Sequence, residues 1–313
     1  MKVLFTYDYG QICMDEIKAL GIDAVYYDEK RIDEYKDIED VDVLVCYKPF
    51  DKIDLHDFKN LKLILLSSIG FDQLPKDVVD ELGITVCNNR GGYSIPMGEW
   101  IVMKLLEMSK NSKGMYENQQ KKRWKPDTGI IEIYKKKIVF FGTGTIAQEA
   151  AKRLSGFDVE VIGLNTTGHS EEFFSQCYPL SDAKEIVKDA LGVVVALPLT
   201  ERTSGIVDKD ILDNMHKDSI LINIARGEVI DEDYLVDTLK NKRIKAAALD
   251  VFNEEPLPKE HPLWNLDNVI ITCHNSWISE MRNSRRFDLI KKNLIKYQKG
   301  EEVSNIINIL RGY

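Results

Sequence analysis

A chain of 313 residues with 44% hydrophobic and 30% charged residues has the profile of a soluble globular protein long enough for two domains of about 150 residues, and is neither disordered nor fibrous. Lys and Arg number 42 against 51 Asp and Glu, a net charge of −9, which disfavours nucleic acid or an anionic membrane as the main partner because both need a broad basic surface. No apolar run approaches the ~18–20 residues of a membrane span, and the opening Met1–Asp8 meets an acid too early for a signal-peptide core. Cys13, Cys46, Cys87, Cys177 and Cys273 are scattered, without Cys-x-x-Cys spacing, and read as free thiols of a reducing compartment. The expected location is cytoplasmic.

In chain order, Lys2–Tyr7, Val43–Cys46, Leu63–Ser67 and Ile84–Cys87 are apolar runs of strand length. Helical patterns lie between them at Asp15–Leu20 and Lys76–Leu82, the latter closed by Gly83. This β-α alternation predicts a parallel sheet with helices on its faces. A helix is expected from Pro96 to about Gln120, with Pro where its missing N–H costs nothing. A second β-α series begins at Lys137, with strands at Ile138–Phe141, Glu160–Leu164, Val193–Ala196, Ser219–Asn223, Ala246–Leu249 and Val269–Thr272. From about Ser279 the chain reads as one more amphipathic helix and a short tail. The basic stretches Lys121–Arg123 and Lys135–Lys137 read as solvated faces.

The run Gly142-Thr143-Gly144-Thr145-Ile146-Ala147 follows a strand and opens a helix, the context a dinucleotide-binding turn requires. Gly142 makes the turn, Gly144 lets the backbone approach a pyrophosphate, and the N–H groups opening the helix at Thr145 and Ile146 receive its charge. The fingerprint accepts Ala147 as third member. The next strand ends at Asn165, where an acid would hold the ribose hydroxyls of NAD; Thr166, Thr167, Gly168 and His169 follow. Without that carboxylate a 2′-phosphate is not repelled, so NADP(H) is favoured, with NAD(H) as the alternative.

The segments Asn223-Ile224-Ala225-Arg226-Gly227-Glu228-Val229-Ile230-Asp231, Ala248–Leu257 and Thr272-Cys273-His274-Asn275 together resemble the D-isomer-specific 2-hydroxyacid dehydrogenase family. Ser67–Asp72 resembles its substrate loop, Asn89–Trp100 its crossing between domains, and Ala196-Leu197-Pro198-Leu199-Thr200 its loop beside the cofactor. The resemblance covers nearly the whole chain and is similar in kind to hydroxypyruvate or glyoxylate reductases and phosphoglycerate dehydrogenases. It implies a catalytic Arg226, Glu255 and His274, cofactor contacts from Leu197, Pro198, Ala225 and Asp250, and backbone N–H groups at Ile69 and Gly70 for the substrate carboxylate. Taken singly, Arg226 would read as an ion-pair residue, His274 as a hydrogen-bonded core residue and Glu255 as a solvated loop acid. These motifs, taken together and in order, outweigh those readings.

The residue types suit the chemistry. Arg226 can fork onto a carboxylate and the neighbouring keto oxygen. His274 can give that oxygen a proton as hydride arrives, and Glu255 can orient and charge the imidazole. No metal is expected, since His274 has no second histidine nearby. Trp277, Phe71 and Tyr47 are candidate pocket residues for an apolar R group, whereas Lys48 would suit an anionic or hydroxylated one. The expected architecture is α/β, two Rossmann-like or flavodoxin-like parallel-sheet domains. A cofactor domain, 94–281, is inserted into a discontinuous substrate domain, 1–93 and 282–313, with closure over the substrate. The resemblance further implies a homodimer, with Pro96–Trp124 as interface. The non-enzyme alternative is an NAD(P)-sensing scaffold, against which the intact Arg226, Glu255 and His274 argue.

Overall fold

The structure, a computed structural model, describes residues 1–308; the end of the expected C-terminal tail, 309–313, lies outside them. The chain divides into two compact units, Met1–Tyr93 with Ser279–Tyr313, and Ser94–Ile278. The return crossing thus falls slightly before the expected residue 282.

The first unit begins with β1 (Lys2–Phe5), α1 (Gln11–Ala19), β2 (Asp23–Tyr26), β3 (Val43–Cys46), β4 (Leu63–Leu66), α2 (Lys76–Glu81) and β5 (Thr85–Cys87). Among the described residues its strands form one wholly parallel sheet in the order β2-β1-β3-β4-β5. The order reverses between β1 and β3, the flavodoxin-like switch point. Every residue of β3 and β4 is buried, as a sheet covered on both faces demands. Alternate residues face opposite cores: Val3 and Phe5 on one side, Leu4 on the other with Leu44, Ile64 and Val79 of α2. Gly83 ends α2 at φ +61°, as expected of a helix-terminating glycine.

The second unit holds α3 (Ser94–Ser109), α4 (Ser112–Gln120), β6 (Lys137–Phe141), α5 (Thr145–Leu154), β7 (Glu160–Asn165), β8 (Gln176–Pro179), α6 (Ala183–Ile186), β9 (Ala190–Val195), α7 (Lys209–Asn214), β10 (Ile220–Asn223), α8 (Glu232–Lys240), β11 (Ala246–Leu249) and β12 (Val269–Ile271). Its described strands form a second parallel sheet in the order β8-β7-β6-β9-β10-β11-β12, a doubly wound arrangement whose switch point lies between β6 and β9. α9 (Arg282–Gln298) then returns to the first unit, where Phe287, Ile290 and Leu294 pack beside Val3, Phe5, Val43 and Leu63.

Two features depart from expectation. The helix expected from Pro96 to Gln120 is two helices, broken at Asn111, which adopts φ +50° and accepts a hydrogen bond from Gly114 N–H as the cap of α4. Asn tolerates the left-handed region and caps helices well, so one residue both stops and restarts the helix. Strands β2 and β8 had no sequence signal because neither, unlike β12 at the opposite edge of its sheet, carries an uninterrupted aliphatic run. Only Ala24 of β2 is buried, and no residue of β8 is.

Candidate active site

At the β6–β9 switch point, Gly142 turns the chain at φ +99°, and a Cβ there would stand 2.7 Å from the Ala196 carbonyl oxygen. No L side chain fits that turn. Gly144 caps α5 and is exposed, and a Cβ on it would point into open space. That opening beside the first N–H groups of a ten-residue helix fits a pyrophosphate. Ser94 donates its hydroxyl to Thr145 Oγ1 at 2.8 Å, fixing the helix entry; Ile146 is half-buried beside it. The buried Leu197 packs 3.2 Å from the same Gly142 position. Thr203 holds the Pro198 carbonyl at 2.6 Å and the Thr200 N–H at 2.8 Å, bracing that loop.

At the end of β7, Asn165 is buried and its side chain is used within its own loop. Its Oδ1 accepts from the N–H groups of Thr167 (3.3 Å) and Gly168 (2.7 Å), and its Nδ2 donates to the His169 carbonyl (2.8 Å) and Thr143 Oγ1 (3.3 Å). Asn165 therefore shapes the loop that leaves Thr166, Thr167 and His169 exposed. The His169 ring bridges Thr167 Oγ1 at 2.9 Å and Glu171 at 3.1 Å. Glu171 carried no motif and was not anticipated.

The three catalytic candidates lie on loops following β10, β11 and β12. Asn223, closing β10, accepts from Ala225 N–H and donates to the Arg226 carbonyl, both at 3.0 Å, so the turn that presents Arg226 is locked. The Arg226 guanidinium donates to its own loop at the Ala225 carbonyl. Gly227 follows because a Cβ there would fall 2.0 Å from the carbonyl carbon of Phe252. Only glycine lets the Arg226 loop and the Phe252–Glu255 loop meet. Glu255 Oε1 accepts from Phe252 N–H at 3.1 Å, which aims Oε2 at His274 Nδ1, 2.8 Å away. The pair is partly exposed, 39% at His274 and 36% at Glu255, and no described residue bonds His274 Nε2. With Nδ1 fixed to a carboxylate, Nε2 is the nitrogen left for substrate.

His274 itself sits at φ +50°, a strained position for a side chain of its size. Asp250, at the end of β11, overcomes that strain. It is wholly buried and accepts from Thr272 Oγ1 (2.6 Å), Asn275 N–H (3.0 Å) and Ser276 N–H (3.0 Å), while its carbonyl accepts from His274 N–H at 2.8 Å. The Trp277 indole N–H donates to the His274 carbonyl at 2.8 Å, closing the turn from the other side. Asp250 and Trp277, singled out in the sequence for cofactor and substrate contacts, thus act in this geometry as the frame of the His274 loop.

The remaining candidates belong to the first unit. Glu29 accepts from the N–H groups of Tyr47 and Lys48, both at 2.8 Å, pinning the backbone after β3 while both residues remain exposed. Asn88 donates to the Ile69 carbonyl at 3.0 Å and Ser68 to the Gly70 carbonyl at 2.7 Å. Among the described residues nothing accepts from the N–H groups of Ile69 or Gly70. Two adjacent unspent backbone donors are available to an anion. Glu29 and Asn88 are positioning residues that no sequence motif revealed, and Asn223 stood in the Arg226 motif without a role of its own.

Comparison with known proteins places the chain in a family. Residues 102–276 match the family model described as D-isomer specific 2-hydroxyacid dehydrogenase, NAD binding domain. A glyoxylate reductase of Pyrococcus horikoshii is 32% identical over 98% of this chain and 96% of its own length. A D-3-phosphoglycerate dehydrogenase of Methanocaldococcus jannaschii is 33% identical over 87% of this chain, which spans 52% of that longer relative. Among solved structures, a D-isomer specific 2-hydroxyacid dehydrogenase of Xanthobacter autotrophicus Py2, in complex with NADPH and MES, superposes with a TM-score of 0.84. That match has 27% identity and covers 100% of this chain and 99% of that one.

Proposed function

The chain belongs to the D-isomer specific 2-hydroxyacid dehydrogenase family and is an NAD(P)-dependent oxidoreductase of 2-hydroxy acids, and we propose that it works as a 2-keto acid reductase with His274 as acid and base. The observation that carries this reading is the 2.8 Å pairing of His274 Nδ1 with Glu255, which leaves Nε2 to the substrate. The nicotinamide supplies the hydride when bound. Arg226 holds the substrate carboxylate and polarises the keto oxygen at C2. His274 Nε2–H gives its proton to that oxygen, and in the reverse direction Nε2 takes the hydroxyl proton. Glu255 stabilises the imidazolium form and fixes the ring. The N–H groups of Ile69 and Gly70 bind the other carboxylate oxygen. Residues Gly142, Gly144, Thr145 and Ile146 cradle the pyrophosphate, with Leu197, Pro198 and Ala225 flanking the cofactor and Asp250 near its carboxamide.

NADP(H) is the preferred coenzyme in this reading. It is supported by the absence of a carboxylate at position 165 and by the exposed hydroxyls of Thr166 and Thr167 beside the His169 ring; NAD(H) is the alternative. Tyr47, Lys48 and Trp277 border the R group. A homodimer is supported by exposed apolar side chains on and after α3 and α4: Met103, Met115, Tyr116 and the fully exposed Trp124. Free cysteines throughout the described chain support a reducing, cytoplasmic compartment. Among the described residues no helix is long and apolar enough to cross a membrane.

The test is oxidation of NADPH and NADH across glyoxylate, hydroxypyruvate, pyruvate, 2-ketoisocaproate, phenylpyruvate and 3-phosphohydroxypyruvate. Turnover of at least one 2-keto acid is the expected result, and coenzyme binding without any turnover would overturn the reading.

A further inference from the structure

Arg286, on α9 of the first unit, is buried to 3% exposure, yet no carboxylate lies within 4.0 Å of it among the described residues. Its guanidinium carbon lies over four tyrosine rings, 4.6 Å from the centroid of Tyr7, 5.5 Å from Tyr9, 5.8 Å from Tyr93 and 5.9 Å from Tyr47. Nη1 donates to Asn283 at 3.3 Å, but Nε and Nη2 make no hydrogen bond within 3.5 Å among the described residues. Burial raises the Tyr9 and Tyr93 hydroxyls above the ordinary phenol range, against the lowering by Arg286, so the rings stay neutral and supply no counter-charge. Cation–π contact offsets part of the cost of burying this charge, but leaves two nitrogens unsatisfied.

The location is informative. Tyr7 and Tyr47 follow β1 and β3, the strands on either side of the sheet's switch point, where open α/β sheets take ligands. Tyr9 and Tyr93 reach from the same guanidinium to Ser67, through Oγ at 2.8 Å and the carbonyl at 2.5 Å respectively. Ser67 opens the loop whose Ile69 and Gly70 N–H groups are unspent. The two unpartnered nitrogens also lie on one edge of the guanidinium, since Nε–H and the Nη2 group point the same way. That edge is the side-on fork that matches the two oxygens of a carboxylate. Of the four rings only Tyr47 is exposed, at 40%, so it is the ring free to swing aside.

We propose that Arg286 is a specificity residue whose Nε–Nη2 edge binds a second carboxylate on the R group, making the preferred substrate a 2-keto dicarboxylic acid. The inference rests on the reductase reading above. The 1-carboxylate would sit on the Ile69–Gly70 donors and the distal carboxylate on the fork, which takes no part in hydride or proton transfer.

The experiment compares kcat/KM for carbon-matched pairs, oxaloacetate against 2-oxobutanoate and 2-oxoglutarate against 2-oxopentanoate, in the wild type and in Arg286→Met and Arg286→Lys. At least one dicarboxylate should lead its partner by about 10-fold or more in the wild type, a lead that Arg286→Met abolishes and Arg286→Lys only partly restores. The monocarboxylates should change by less than about threefold, because their R groups make no charged contact with the fork. Succinate should raise the Tm of the wild-type coenzyme complex and leave that of Arg286→Met unmoved. A wild type that prefers the monocarboxylates, or an equal loss on both members of each pair, overturns the assignment and leaves Arg286 a structural cation among tyrosines. Preference for 3-phosphohydroxypyruvate that vanishes in Arg286→Met also overturns it, giving the fork to phosphate. If no keto acid turns over, the reductase reading is what fails, and succinate stabilisation alone then decides for or against the fork.

Discussion

Replacing Asp250 by Asn tests whether a buried carboxylate builds the loop that carries His274. Asp250 Oδ1 takes Thr272 Oγ1 and Asn275 N–H, and Oδ2 takes Ser276 N–H. An amide oxygen in the Oδ1 position keeps the first two bonds, but its NH₂ then faces the Ser276 N–H, donor against donor. Both Asp250 and Ser276 are buried, at 0% and 3% exposure, so neither donor can turn to water. Leaving two buried donors unpaired costs about 1–3 kcal/mol each, and relief from burying a charge returns some of it, for a net loss of about 2–4 kcal/mol. Urea unfolding followed by tryptophan fluorescence reads that loss, with Trp277 reporting from the loop itself. Because His274 N–H hangs from the Asp250 carbonyl at 2.8 Å, kcat should fall about 10- to 100-fold alongside, the size of effect expected when a catalytic group is misplaced by about 1 Å. An Asp250→Asn protein within about 0.5 kcal/mol of wild type, with unchanged kcat, would refute the reasoning.

Glu255→Gln keeps a side-chain oxygen for the His274 ring but removes the charge that stabilises imidazolium; a loss of about 10- to 100-fold in kcat is expected, with KM for the keto acid little changed. Asn165→Asp deletes both Nδ2 donations in the loop, to His169 and Thr143, and sets a carboxylate against a 2′-phosphate, so the NADPH-to-NADH ratio of kcat/KM should fall; an unchanged ratio would remove position 165 from coenzyme choice. Burial pushes the Cys87 thiol up to about 12 and Cys46 well above its ordinary range, whereas Cys273 is exposed. Mass spectrometry after iodoacetamide treatment at pH about 8 should therefore find Cys273 labelled and Cys46 and Cys87 unlabelled until denaturant is added.

Interior strands were legible because two-sided burial writes an uninterrupted apolar run. The four-residue runs at β3 and β11 were located to the residue, whereas β2 and β8, which open on Asp23 and Gln176 and bury little, wrote no such run. The glycine turn at Gly142 was legible because its backbone admits no side chain. The same steric logic at Gly227 was not, because the clash is with Phe252, a residue distant in sequence but adjacent in space. The positioning roles of residues escaped for the same reason, even at Asp250, which was singled out for another task. Glu29 acts on Tyr47 and Lys48, Asn88 on Ile69, and Asp250 on Thr272, Asn275 and Ser276, each across strands that only the folded sheet brings together. Arg286 carried no signal of its own within the amphipathic C-terminal helix. Its burial among tyrosines from the ends of β1, β3 and β5 is a property of the assembled sheet.

The most direct test of the central claim is His274→Ala, assayed beside wild type for NADPH-dependent reduction of the best keto acid, with coenzyme binding followed by fluorescence. Loss of the proton donor should lower kcat by about 10²–10⁴-fold while coenzyme affinity stays within about threefold of wild type. Full reductase activity in His274→Ala would contradict the assignment of His274 as the group that moves the proton.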